Sequence, residues 1–188
     1  MTKKSILILF TAAGLILAVI LGVYFYRSNL GPTKDDVTAL IQSFIENIAA
    51  GDTDAARGLM TADTRVFLRD PQTLLGETIY RNLKLRSVDS IFTEGGGNYA
   101  ADVILTMPDT LKITAKAGLL FGEKVAAEGP ADDPDQAIAE IYEEILARDD
   151  IPMIDSYCVI RIVMQDGKLL IRGDETLQKT LEGNINTF

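Results

Sequence analysis

Apolar positions along this chain follow two different periods, and the change between them separates predicted helices from predicted strands. From Thr33, an N-cap candidate, to Gly51, apolar residues recur every three to four positions, which places them on one face of a helix. These residues are Val37, Leu40, Ile41, Phe44, Ile45 and Ile48. Further helical segments are predicted at 53–59, 61–68 and 73–82.

The period then changes to two, which is typical of half-buried strands. Residues 83–92 are predicted to be extended, and residues 99–107 alternate strictly between apolar positions and others, with a glycine-rich hairpin loop between the two segments. A second hairpin is predicted from residues 154–165 and 168–172 around the turn Asp166-Gly167. Helices are predicted at 109–128, after Asp133, and at 174–181. Helices packed on one face of antiparallel hairpins give an α+β fold.

The N-terminal segment has no such periodicity. Ile6 to Tyr26 is an uncharged apolar run of 21 residues, and as a helix it is about 31 Å long, close to the thickness of a hydrocarbon core. A cleaved signal peptide, the main alternative, needs a shorter apolar core and small residues at its exit, where this chain has Tyr24, Phe25 and Tyr26. The pattern therefore predicts an uncleaved transmembrane signal anchor.

The predicted anchor sets the expected domain organisation and location. Lys3 and Lys4 precede the run, which favours a cytoplasmic N-terminus and an extracytoplasmic remainder of the chain. We therefore expect a cytoplasmic stub and anchor at 1–27, a linker at 28–32 and a domain at 33–188. The expected location is the cell membrane, with a single span.

Charge and composition exclude several classes of binding partner and catalytic mechanism. The chain carries −9 overall, and the part after the predicted anchor carries −12, because Lys3, Lys4 and Arg27 precede it and no acidic residue does. So acidic a domain is not expected to bind nucleic acid. A single cysteine excludes an internal disulfide and favours a bacterial protein. The absence of histidine excludes imidazole metal ligands and Ser-His-Asp or Cys-His mechanisms. No cofactor and no metal are expected.

Three stretches of the chain are similar to one superfamily. They are the opening helix and its turn, residues 37–56, the strand end at residues 103–109, and the closing hairpin at residues 162–171 with Asp166-Gly167-Lys168. Together they resemble the nuclear-transport-factor-2-like (cystatin-like) superfamily, in particular its bacterial membrane-anchored or lipoprotein members. The resemblance implies a cone of N-terminal helices on a curved antiparallel sheet. The chain departs from that pattern at Leu169, where relatives often have tryptophan, and it lacks a pocket histidine.

Strand alternation also groups the candidate binding residues. Tyr157 and Arg161 share one face of their strand, and Arg172 faces the same way as Lys168 on the next. If the faces of the strands coincide, Lys84, Arg86, Arg161 and Arg172 form a basic sheet face around Asp102, suited to a carboxylate or phosphate. The alternative is a solvated face with weak ion pairs. The full candidate set is Tyr80, Lys84, Arg86, Asp102, Tyr157, Arg161 and Arg172.

These observations lead to one expected function and two alternatives. The expectation is a membrane-anchored, non-catalytic extracytoplasmic domain that binds a small anionic ligand or an envelope protein. One alternative is a proton-transfer enzyme in which Asp102 acts with Tyr80 or Tyr157 in a pocket. The other is a structural or assembly module that forms a homodimer through the sheet face, as relatives in the resembled superfamily often do.

Overall fold

The computed structural model describes residues 31–183. Within them the compact unit that begins at Lys34 contains six α-helices and four strands. In chain order they are α1 (Lys34–Ala49), α2 (Thr53–Gly58), α3 (Leu74–Asn82), β1 (Lys84–Gly95), β2 (Asn98–Pro108), α4 (Thr110–Glu128), α5 (Pro134–Leu146), β3 (Met153–Gln165), β4 (Lys168–Arg172) and α6 (Glu175–Leu181). A 3-10 turn, Arg65–Phe67, lies between α2 and α3.

The four strands form one antiparallel sheet in the order β1-β2-β3-β4. The β2–β3 pairing is uninterrupted, from Asn98 opposite Val163 to Pro108 opposite Met153. The β1–β2 pairing is interrupted by three register shifts, so that β1 contains extra residues at three places. At the sheet edge formed by β4, the N–H of Thr61 donates to the carbonyl of Ile171, and the N–H of Ile171 donates to the carbonyl of Leu59. These two hydrogen bonds form a short parallel bridge.

The core lies between one face of this sheet and the helices α1, α3 and α6. The apolar face predicted for α1 is buried there, with Phe44 and Ile41 fully enclosed. The sheet contributes Ala101, Val103, Leu105, Met107, Cys158, Ile160, Ile162 and Ile171. Alternation of side chains in a strand explains why these residues share a face, and their burial against the helices contributes to the hydrophobic stabilisation of the fold.

The helices α4 and α5 form a smaller apolar cluster of their own. Its buried members are Ile113, Ala117, Ile141 and Ile145. Asp109 begins α4 by accepting the N–H of Lys112 at 3.0 Å, and Asp133 begins α5 by accepting the N–H of Gln136 at 3.1 Å. These caps satisfy N–H groups that a helix start leaves unpaired.

The sequence-based fold prediction needs a correction at its N-terminus. No helix within residues 31–183 is long and apolar enough to cross a membrane. Even α4, with 19 residues, carries five charged side chains, and charges inside a hydrocarbon core are costly. The predicted span Ile6–Tyr26 lies outside the described residues. The structure therefore supports an α+β domain with a four-stranded antiparallel sheet, and it provides no support for a membrane anchor.

Candidate functional site

The side of the sheet that faces away from the helices forms the candidate site, and we call it the outer face. Because directly opposite residues of antiparallel strands share a face, the register arranges this face in rows across the strands. These rows are Phe92–Ala100–Arg161–Arg172, Ser90–Asp102–Val159, Ser87–Ile104–Tyr157 and Lys84–Thr106–Asp155.

No described helix covers the outer face. Of the residues in its four rows only Ala100 is buried, whereas the opposite face of β2 and β3 is enclosed by the helices. Three apolar or aromatic side chains on the outer face are well exposed: Phe92 is 52% accessible, Tyr157 73% and Val159 44%. The face is therefore an open surface with apolar side chains along its length.

At one end of the outer face an arginine and an aspartate form an ion pair across the sheet. Arg86, which stands at a register shift of β1, forms an ion pair with Asp155 across the intervening strand β2. Asp155 also accepts a hydrogen bond of 2.7 Å from the hydroxyl of Thr106. The extra residue in β1 allows the Arg86 side chain to reach over the face.

The other end of the outer face carries two arginines directly opposite each other. Arg161 on β3 is paired with Arg172 on β4. Arg161 forms an ion pair with Asp174, which also accepts the N–H of Leu177 at 2.8 Å and so caps α6. Arg172 is exposed and forms no ion pair with any other described residue. This end therefore has two guanidinium groups beside a single carboxylate.

The centre of the outer face contains the predicted acid, Asp102. Its carboxylate accepts a hydrogen bond of 2.6 Å from the hydroxyl of Ser90, and its side chain is partly buried. Tyr157 lies on the same open face, one row away. Six of the seven predicted site residues thus lie on one surface. They are Lys84, Arg86, Asp102, Tyr157, Arg161 and Arg172.

Tyr80, the seventh predicted residue, lies elsewhere. It belongs to α3, is 6% exposed, and donates a hydrogen bond of 2.8 Å to the carbonyl of Arg69. Burial is the main reason that its pKa is raised to about 12. The helices and the sheet's core face separate it from the outer face, so the structure does not bring Tyr80 and Asp102 together as an acid–base pair.

Two cavities adjoin Tyr80. One, of about 330 Å³, is lined on its polar side by Thr53, Asp70, Glu77 and Arg81, and another, of about 270 Å³, lies across the Asp70–Pro71 segment. The Asp70 carboxylate is held by the hydroxyl of Thr53 at 2.5 Å and by Arg57 at 3.2 Å. These two contacts engage Asp70 within the protein and help to fix the segment before α3.

Within residues 31–183, neither the cysteine nor the potential metal ligands indicate a second site. Cys158 points into the core, and burial raises the pKa of its thiol to about 12, so a thiolate is not formed near neutral pH. No group of three or more potential metal ligands occurs in residues 31–183.

Phe92 and Val159 were missed in the sequence-based selection of site residues. Phe92 was missed because β1 departs from strict alternation: Leu85, Val88 and Ile91 face the core at intervals of three, since each register shift adds a residue. Val159 could have been found, because it lies two residues from both Tyr157 and Arg161 on the same strand.

Comparison with known proteins does not assign a family or a function to the chain. It found no matching protein family, no matching curated protein and no matching solved structure. The resemblance to the nuclear-transport-factor-2-like superfamily thus stays a sequence-based prediction, and the description of the chain as a membrane-anchored member of it is withdrawn.

Proposed function

We propose that this chain is a non-catalytic binding domain and that its outer face docks a protein partner. The observation that carries the proposal is the exposure of Phe92, Tyr157 and Val159 on a sheet face that no described helix covers. Aromatic residues and arginine are enriched in protein interfaces and among the residues that dominate binding energy. The outer face combines both types.

The openness of the face favours a protein over a small molecule as the partner. Small ligands bind in concave sites that bury most of their surface, whereas Tyr157 at the middle of this face is 73% accessible. The same openness argues against proton-transfer catalysis by Asp102, because catalytic acids are usually tuned by enclosure. Asp102 instead serves Ser90 as a hydrogen-bond acceptor.

Selection of short random peptides displayed on phage, with the immobilised protein as the target, tests the proposal. We expect the native protein to retain a specific set of peptides and Tyr157→Ser to lose it. The matched control is Leu111→Ser on α4, which removes an apolar residue of similar exposure, 61%, away from the outer face. Retention by Tyr157→Ser, or loss only in Leu111→Ser, would contradict docking on the outer face.

Self-association through the outer face is the alternative to docking of a different protein, and a separate measurement distinguishes the two. Sedimentation velocity of native protein and Tyr157→Ser over a range of concentrations provides that measurement. A native dimer that the substitution dissociates would show that a second copy, rather than a different protein, occupies the outer face. The proposal of a different partner predicts a monomer for both proteins.

A further inference from the structure

The arginine end of the outer face has more positive charge than the chain neutralises. Arg161 and Arg172 are directly opposite on adjacent strands, a position at which Cβ atoms are about 5 Å apart and like charges destabilise the pairing. Asp174 relieves this for Arg161 alone, and its second oxygen already serves as the cap of α6. Arg172 keeps its donors for a group outside the described chain.

The neighbouring side chains in this row shape the space beside the two arginines. Ala100 separates Phe92 from Arg161 in the same row, and it is only 6% exposed, so that the accessible groups of the row are the Phe92 ring and the two arginines. Phe92 remains 52% exposed. An occupant of this row therefore meets an aromatic surface on one side and two planar cations on the other.

We propose that Arg161 and Arg172 bind the carboxylate of an aspartate or glutamate side chain in the docked partner, while an adjacent apolar residue of that partner packs on Phe92. This assignment rests on the proposed function, since it specifies what the docked segment contains. A guanidinium forms paired, planar hydrogen bonds with a carboxylate, which explains arginine rather than lysine at both positions.

The opposite end of the face and the charge of the domain support the choice of this end. There, Asp155 already neutralises Arg86 and accepts from Thr106. The remaining cation in that row is the exposed Lys84, whose ammonium group cannot form the paired, planar hydrogen bonds of a guanidinium. The domain as a whole is strongly acidic, as its −12 after residue 27 shows. The two arginines, of which only Arg161 is paired with a carboxylate, thus offer an acidic partner a local attraction on a domain that repels it elsewhere.

The test uses a peptide that the native protein retains in the display experiment and its counterpart with the acidic residue changed to glutamine or asparagine. Affinities of both peptides are measured by fluorescence anisotropy for native protein, Arg172→Gln, Arg172→Lys and Lys168→Gln. Lys168→Gln is the matched control, because it removes one positive charge from the same strand, β4, without touching the arginine pair. Far-UV circular dichroism checks that each variant is folded.

We expect Arg172→Gln to weaken the acidic peptide about tenfold, as the loss of a charge-assisted hydrogen-bonded pair does. Arg172→Lys should recover only part of that loss, and Lys168→Gln should change the affinity less than about twofold. The neutralised peptide should bind native protein and Arg172→Gln equally, since the interaction is then absent from both.

The contrary results separate this inference from the proposed function. Peptides that are lost with Tyr157→Ser but lack acidic residues, or ignore Arg172→Gln, would overturn the carboxylate subsite while docking on the outer face stands. Stronger binding of a phosphoserine peptide than of its glutamate counterpart, abolished by Arg172→Gln, would overturn the choice of carboxylate in favour of phosphate. Loss of affinity in Lys168→Gln equal to that in Arg172→Gln would reduce the effect to net charge.

Discussion

We expect the difference in unfolding free energy between the native protein and Tyr80→Phe to change sign with pH. The Tyr80 side chain is 6% exposed, and its hydroxyl donates to the carbonyl of Arg69 at 2.8 Å. Tyr80→Phe leaves that carbonyl without its donor. Near pH 8 we expect the free energy of unfolding to fall by about 1.5 kcal/mol relative to native protein.

At alkaline pH the hydroxyl becomes a disadvantage. In the unfolded chain the phenol ionises near its ordinary pKa of 10.0, whereas burial raises the pKa of Tyr80 in the folded state to about 12. Between these values the unfolded state binds fewer protons than the folded state, so the unfolding free energy of native protein falls as pH rises. Two pH units correspond to at most about 2.7 kcal/mol, and solvent in the two adjoining cavities screens part of it, which leaves about 2 kcal/mol.

The native protein should therefore be the more stable of the two below pH 11 and the less stable close to pH 12. Urea unfolding followed by far-UV circular dichroism measures this, because the chain has no tryptophan and ionisation perturbs tyrosine fluorescence. The control is Tyr157→Phe at a site 73% exposed, where the difference should stay within about 0.3 kcal/mol at every pH. If the difference in unfolding free energy between native protein and Tyr80→Phe is constant from pH 8 to pH 12, the prediction is wrong, since the phenol then ionises equally in both states.

Two further predictions concern backbone space and helix capping. Gly173→Ala should destabilise the fold by about 1–3 kcal/mol, because its Cβ would lie 2.5 Å from Met60 Cε and 3.0 Å from the carbonyl oxygen of Thr64. The control is Gly122→Ala in α4, where a Cβ would have nothing within 4 Å. It should stabilise the fold by about 0.5–1 kcal/mol in the same urea assay. At Asp109, burial alone would raise the pKa, but the hydrogen bonds and the ammonium group of Lys112 outweigh it and lower the pKa from 3.8. The Asp109 carboxylate thus stabilises the folded state above that pH, and this contribution is lost as the pH falls. In thermal unfolding, Asp109→Asn should therefore cost about 1 kcal/mol at neutral pH and progressively less below pH 4. A cost that is independent of pH would contradict this prediction.

Much of the fold follows from local pattern. The strand 99–107 and its partner 154–165 obey strict alternation, so the sequence identifies which residues face the core, and the structure places Val103 and Ile160 there. The turn Asp166-Gly167 is equally direct, since both residues have positive φ, 51° and 75°, which these residue types adopt most readily.

The parts that could not be predicted depend on contacts between distant segments. Register shifts in β1 remove the alternation that would have revealed Phe92, and no local signal shows that Arg86 reaches Asp155 across another strand. The position of Tyr80 depends on how α3 lies against the segment that contains Arg69, eleven residues away. A helical pattern shows which residues share a side of the helix but not what that side meets.

The two borders of the sheet have a consequence for how this domain meets other chains. An open sheet border offers unpaired N–H and C=O groups that can recruit a strand from a neighbour, which is a route to aggregation. Here β1 is interrupted by three register shifts, and β4 is flanked by the bridge from Leu59 and Thr61 to Ile171. Both borders are thus poor templates for another strand. The domain can expose an apolar, aromatic surface for recognition and still resist uncontrolled growth of its sheet in a concentrated solution.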